Sequence, residues 1–566
     1  MKVLSLSKKT GEVVPGAYTA AQVPPAWSLI PALGCTLAFI TCILLSVTPV
    51  FNMNGLDIHN RISIKLAWFG KWLPSDLKFT KDYYVSRQNT GYLELMLLLA
   101  LMFVAYILCA FLINRQQGAW QRLRALIWAG VLVGGCIYLF TPGSLSSDIY
   151  SYGIYGRLLG VHFANPYFVP PSAFPHDPLY SLVYWRNTVS VYGPIWTVVC
   201  ALLALLGGTY PLHLIMAFRA FAFAAHLCNI VLVVAILRAL GRSPRIVTLG
   251  MLLYAWNPLV LVESSLGGHN DVFMVTFILL GLLYSARAER NTPPQLLTYI
   301  VPLIAFTMAA LVKFSALPVI AVFILMLLCR TLRPMDQRSV LSRWRSALVT
   351  SLLACCISGG LALGLYGLFW VGHSLHQITE SFTSQPSATV AWNSLLYTID
   401  TWHMTHAIPP AFMFLLKREP WNLISLLATM CPILAGCILL WRTPDTRTVA
   451  LVSLASLGAF LVVTPWFFAW YVTWIVGLAV VCLPVARDRL GVALLAFTLT
   501  ISAMTFLTYY SIMIGWLLLS FHPPRVGWAV LVCLGAFGIP LLVFFACLLL
   551  WPLFRRMLPY EIEVSK

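Results

Sequence analysis

The sequence predicts an all-α, polytopic integral membrane protein, and three observations predict it. Of its 566 residues, 60% are hydrophobic and only 10% are charged, whereas a soluble domain carries roughly 25% charged residues. Apolar stretches of about 20 residues, the length that crosses a bilayer as a helix, recur from end to end. Lys and Arg outnumber Asp and Glu by 36 to 18, and they gather in the short segments between those stretches, as cytoplasmic loops do. The net charge of +18 is therefore topology and gives no reason to expect a nucleic-acid partner. The 14 cysteines lie in apolar stretches, without the spacing of a zinc site. No P-loop and no dinucleotide fingerprint is present, which argues against bound nucleotide as an energy source.

Taken in order, about 14 spans are expected, near 27–50, 93–114, 119–141, 213–236, 246–265, 271–287, 295–312, 316–333, 347–370, 422–441, 448–465, 466–485, 490–516 and 526–552. The chain then divides into a cytoplasmic N-terminal tail (1–26) and N-terminal helices (27–141). An outer loop (142–212), core helices (213–370) and a second outer loop (371–421) follow. The C-terminal helices and a short cytoplasmic tail (422–566) complete it. The tail 1–26 lacks the apolar run of a cleaved signal. A third loop, 51–92, joins the first two spans.

The apolar stretch 191–208 decides the threading. If it crossed the bilayer, Arg238, Arg242 and Arg245 would face outward, and every later basic loop would invert. Those loops carry Arg287 and Arg290, then Arg330, Arg333, Arg338, Arg343 and Arg345, then Arg442 and Arg447, Arg487 and Arg489, and Arg555 and Arg556. If 191–208 lies half-embedded, all of them are cytoplasmic, and so are both termini. Pro194 near its start and Gly207-Gly208 at its end suit such an element, packed against protein.

Sparse polar residues then gather at the outer boundary. Asp148 follows directly on a span. It is open to two readings, a helix cap or a general base that takes a proton from a hydroxyl. Glu263 lies inside an apolar run, where a cap does not explain it, and His269, Asn270 and Asp271 follow after the turn Gly267-Gly268. Three cations accompany them: Arg157, Arg219 within a span, and Lys313 in a short turn. Each either snorkels or meets a phosphate. The run Thr464 to Trp474, with Trp466 and Tyr471, is an interfacial belt or the wall of a lipid or sugar groove. The acids form only a weak constellation for a divalent metal.

Several short motifs complete the pattern: Asp148 to Arg157, Asn165-Pro166-Tyr167, Tyr192-Gly193-Pro194, Trp256-Asn257-Pro258 with Glu263, Gly267-Gly268-His269-Asn270-Asp271, and Pro465-Trp466 with Trp470-Tyr471. In order and spacing the chain resembles membrane glycosyltransferases of the GT-C superfamily. It is most similar to bacterial polyprenol-phosphomannose-dependent α-1,6-mannosyltransferases of lipoglycan synthesis and to related family 87 enzymes. The resemblance implies a GT-C fold whose first outer loop is catalytic, carries an acid matched by Asp148, and contains juxtamembrane helices matched by 191–208.

It further implies a hexose, mannose by this likeness, moved with inversion from a polyprenyl-phosphate donor to a glycan or glycolipid acceptor on the outer face of the cell membrane. Asp148 is then the base, and Arg157, Arg219 and Lys313 are candidates for the donor phosphate. Tyr152, Glu263, His269, Asn270, Asp271, Trp466 and Tyr471 are candidates for the sugar or acceptor. No cofactor is required, and a divalent metal stays open. The rival reading is a transporter or flippase, which would place paired polar residues at mid-membrane. Convergence of Asp148, Asp271 and Lys313 favours the enzyme, and an Arg219–Glu263 pair favours the transporter.

Overall fold

A computed structural model describes residues 26–51, 89–141, 146–290, 296–333, 339–383, 391–403, 410, 413–414, 417–483, 488–510 and 525–552. Outside these lie nearly all of the expected tail 1–26, most of 51–92, parts of 371–421, and Arg338, Arg487, Arg555 and Arg556.

The described chain is helical throughout, as expected. It opens with α1 (Ile30–Phe51), α2 (Asn89–Arg115) and α3 (Trp120–Leu139), then α4 (Asp148–Gly160) and α5 (Pro194–Gly207). The central part comprises α6 (Pro211–Ala239), α7 (Pro244–Ala255), α8 (Pro258–Ser265), α9 (Asp271–Ala288), α10 (Ile300–Val312), α11 (Leu317–Leu332) and α12 (Val340–Trp370). Two short helices, α13 (Leu375–Thr383) and α14 (Leu395–His403), precede α15 (Arg418–Arg442), α16 (Thr446–Val463), α17 (Thr473–Val481), α18 (Arg489–Thr505), α19 (Arg525–Val532) and α20 (Ile539–Leu549).

Among the described residues, eleven helices are long and apolar enough to cross a membrane, or twelve if α7 and α8, bent by 53° at their junction, count as one broken span. Two of the expected 14 stretches, 295–312 and 466–485, instead form the shorter apolar helices Leu297–Val312 and Ala469–Val481. Hydropathy reports how apolar a stretch is, not where its helix breaks. The second of these is shortened by the irregular segment Thr464–Phe468, which is drawn aside to pair with Trp392.

Helix α5 has 14 residues, about 21 Å at 1.5 Å per residue, short of the roughly 30 Å hydrocarbon layer. Pro194 occupies its first turn, where the missing N–H costs nothing. One face packs on α4, and the other exposes Val198, Leu202, Leu205 and Leu206, as a helix lying in the interface does. The basic segments meet at one end of the bundle. Arg245 donates to Asn114 O (3.2 Å), Arg290 to Ala239 O (2.9 Å) and Arg333 to Arg442 O.

Polar side chains inside the bundle tie helices together, as expected where lipid offers no alternative partner. Asn229 on α6 donates to Tyr254 OH (2.9 Å) and to Val272 O (3.0 Å), joining α6, α7 and α9. Tyr106 on α2 donates to Leu253 O (2.8 Å).

The backbone of Gly193 lies against the end of α10. Its N–H donates to Val312 O (3.1 Å), and a methyl group at its Cα would overlap the Leu311 carbonyl. Gly193→Ala is expected to push α5 off α10 and to destabilise the protein by about 1–3 kcal/mol, the usual cost of overpacking. Thermal unfolding in detergent checks this, with wild-type stability as the contrary result.

Candidate active site

The local chain shape of the site begins with a broken helix. Asn257 ends α7 and caps α8. Its Oδ1 accepts from Val260 N (3.3 Å) and from Ser502 Oγ (2.7 Å), and Pro258 takes the first helical position. Trp256 locks the break by donating to Ile127 O (2.9 Å) and stacking on Phe39 at 4.8 Å. After eight residues α8 ends in a tight turn, with Gly267 N donating to Val262 O and His269 N to Glu263 O. Gly268 has φ +65°, which favours glycine. A Cβ at Gly267 would sit 2.8 Å from Glu263 Oε2. The turn therefore needs glycine if Glu263 is to fold back on His269.

That fold-back builds a line of polar groups. His269 Nε2 lies 3.2 Å from Glu263 Oε2, and Tyr510 donates to Glu263 Oε1. On the other side of the ring, Nδ1 lies 3.4 Å from Tyr152 OH and 3.9 Å from Asp148 Oδ2. Burial first, and then the Lys313 charge, hold the His269 imidazole well below the ordinary histidine range. A neutral ring with its proton on Nε2 donates to Glu263 and leaves Nδ1 to accept. Trp470 stacks on the ring at 4.0 Å.

A second cluster lies beside the first. Asp271, at the start of α9, accepts at Oδ1 from Lys313 Nζ (2.7 Å) and from Trp474 Nε1 (2.5 Å). Lys313 also sits over the ring of Tyr471, at 4.2 Å. Among the described residues, Asp271 Oδ2 and Asn270 Nδ2 are buried without a hydrogen-bond partner. Asn270 Oδ1 accepts from Tyr152 (3.3 Å).

Asp148 closes the arrangement as the first residue of α4. Ser147 stands at the cap position without a side-chain capping bond. Exposure separates the three acids: the Asp148 side chain is 20% exposed, Glu263 2% and Asp271 0%. Asp148 is therefore the carboxylate that a substrate can reach. Burial raises its pKa to about 7, with Lys313 opposing the rise and Asp271 adding to it. A base poised near neutral pH is what proton transfer from a hydroxyl requires.

The structure turns the other two cations elsewhere. Arg157 Nε donates to both oxygens of Asp177 (3.1 and 2.9 Å), and Nη1 donates to Gly208 O (3.1 Å). His162 shares Asp177 at 2.7 Å. Burial of Asp177 works against its charge, but His162, the Leu179 N–H and Arg157 outweigh it and hold the carboxyl below its usual range. Arg219 donates to Leu139 O (3.3 Å) and Thr141 O (2.7 Å), satisfying carbonyls at the end of α3. Arg219 and Glu263 thus hydrogen-bond to different partners, whereas Asp271 and Lys313 pair beside Asp148.

Asn165-Pro166-Tyr167 serves as an anchor. Asn165 donates to Phe369 O (2.5 Å), and Tyr167 donates to Tyr192 O (2.7 Å). Trp466 forms a bridge with Trp392, and its ring lies 6.0 Å from that of Trp185. It belongs to an aromatic seam, while Tyr471 reaches Lys313. Sequence reading placed Tyr192, Trp470 and Trp474 within motifs without giving any of them a site role, and it did not single out Tyr510. Tyr192 packs edge-on against Tyr152 at 5.0 Å. Among the described residues no group of three or more His, Cys, Asp or Glu side chains comes together as metal ligands.

Residues 66–330 match the family model of the alpha-(1->6)-mannopyranosyltransferase N-terminal domain, MptA_B family. The match bears out the GT-C resemblance and supports a mannosyltransferase of that type. It spans Asp148, Tyr152, Glu263, His269, Asn270, Asp271 and Lys313, and it stops short of the aromatic run at Trp466–Trp474. No curated protein and no solved structure matches the chain.

Lys313→Met would leave Asp271 buried in the bundle without its cation. It is expected to destabilise the protein by about 3–5 kcal/mol, as breaking a buried pair does. Lys313→Met/Asp271→Asn should recover most of that loss, since no charge is left uncompensated. Thermal unfolding of both variants in detergent checks this, and equal loss in both would contradict it.

Proposed function

We propose that this protein transfers mannose from a polyprenyl-phosphate donor to a glycan or glycolipid acceptor on the outer face of the cell membrane, with inversion. Both termini are cytoplasmic in this reading, and no cofactor is required. The observation that carries it is the reachable carboxylate of Asp148, placed beside the Lys313–Asp271 pair and the neutral His269 at one end of the bundle.

The acceptor hydroxyl docks against Asp148. Its oxygen attacks the anomeric carbon, and a new C–O glycosidic bond forms. The bond from that carbon to the phosphate oxygen breaks, and its electron pair leaves with the polyprenyl phosphate. Asp148 takes the hydroxyl proton. Lys313, the cation at the cluster, meets the charge growing on the leaving phosphate. Arg157 and Arg219 act indirectly, by holding the loop and the end of α3 in place.

Asp271 and Asn270 are fully buried, so they hold Lys313 and Tyr152 in place and do not themselves meet the sugar. Glu263 lies behind His269 and holds the ring through Nε2. The partly exposed ring of Tyr192, beside Tyr152, is an aromatic surface at this cluster that a sugar can meet. The membrane confines the lipid donor and supplies proximity.

The test is incubation of purified protein in lipid with a panel of polyprenyl-phospho-sugars, followed by analysis of the glycan products. Transfer from the mannose donor, with inverted anomeric configuration, is expected. Transfer of another sugar only, or retention of configuration, overturns the reading. The pH profile gives a second check. Asp148 must be ionised to act, so kcat/KM should fall tenfold per unit below about pH 7 and level off above it. A flat profile from pH 5 to 8 would contradict the base.

A further inference from the structure

A second site lies at the other end of the bundle from Asp148. There a cleft of about 360 Å³ opens between α3, α6 and α7, with Trp120, Arg124, Arg238, Arg242 and Pro244 among the seven residues that line it. Three of the seven are arginines and none is acidic. The guanidinium of Arg124 is fixed at the wall. Its Nε donates to Thr248 Oγ1 (2.9 Å), and Nη2 donates to Pro244 O (3.2 Å). Arg245, one residue past Pro244, donates to Asn114 O (3.2 Å) and holds the start of α7 against α2. The cleft is thus built on braced helix ends.

We infer that this cleft binds the phosphate headgroup of an anionic phospholipid. Three guanidinium groups lining one concave site attract an anion, and guanidinium forks match phosphate oxygens. Basic pockets between membrane helices at the headgroup level hold anionic lipids by the same physics. Trp120, an amphipathic ring at the membrane boundary, gives the cleft an apolar wall. Val231 lies seven residues before Arg238, two turns along the same face of α6, and is 56% exposed. It continues the site as an apolar track for an acyl chain, which a free phosphate ion does not need. The site is remote from Asp148 and independent of the transfer reaction.

The test measures thermal unfolding of the full chain in phosphatidylcholine nanodiscs, with and without phosphatidylglycerol, and separately with inorganic phosphate. Phosphatidylglycerol is expected to raise the midpoint by about 2 °C or more, since a ligand of the folded state stabilises it. The R238Q/R242Q variant should lose that rise while unfolding normally in phosphatidylcholine alone. If the double variant does not fold, Arg238→Gln at the exposed rim carries the test, with the rise reduced by about half. An undiminished response in the variants overturns the inference. So does an equal rise given by inorganic phosphate alone, which would assign the cleft to a free anion.

Discussion

The structure depends on how it keeps carboxylates inside an apolar bundle. A buried acid is costly unless it is paired or hydrogen-bonded, and this protein gathers three at one end of its helices. Asp271 is held by Lys313 and Trp474. Glu263 is held by His269 and Tyr510. With those two fixed, Asp148 keeps a partly exposed carboxylate whose proton affinity is raised by the same burial. Asp271 and Glu263 are compensated by protein, and Asp148 is the one of the three left partly exposed.

That division needs particular chain shapes. The cap and proline at Asn257-Pro258 break a span, and the Gly267-Gly268 turn sends the chain back so that Glu263 and His269 meet. Tyr192-Gly193-Pro194 starts α5 against α10, which ends at Lys313. The close approach at Gly193 thus couples α5 to the turn that carries Lys313. Arg157 and Asp177, locked to each other with His162, hold the loop between α4 and α5.

Much of this was legible in the sequence, because polar residues within apolar runs are expensive and therefore conspicuous. The all-helical membrane fold followed from composition, and the charge of the later loops set 191–208 apart from the spans, a stretch that forms a helix of only 14 residues. Asp148, Asp271 and Lys313 stood out for the same reason. What the chain did not reveal was who pairs with whom. Tyr510 is 247 residues from Glu263, and no local pattern announces it. Trp470 and Trp474 sit in an aromatic run that looks the same whether it faces lipid or lines a site. Arg157 and Arg219 gave the same signal as Lys313, yet their partners, Asp177 and the carbonyls ending α3, are set by tertiary packing. Two of the expected spans proved short because apolar length does not locate helix breaks.

The most direct measurement is transfer by Asp148→Asn, with polyprenyl-phospho-mannose as donor. The substitution keeps the shape of the side chain and removes its capacity to take a proton. Thermal unfolding of the same preparation serves as the control for folding. The account predicts a variant that folds as the wild type does but loses transfer by a factor of about 10² to 10⁴, the range for removal of a positioned base. Wild-type transfer by a folded Asp148→Asn variant would contradict it.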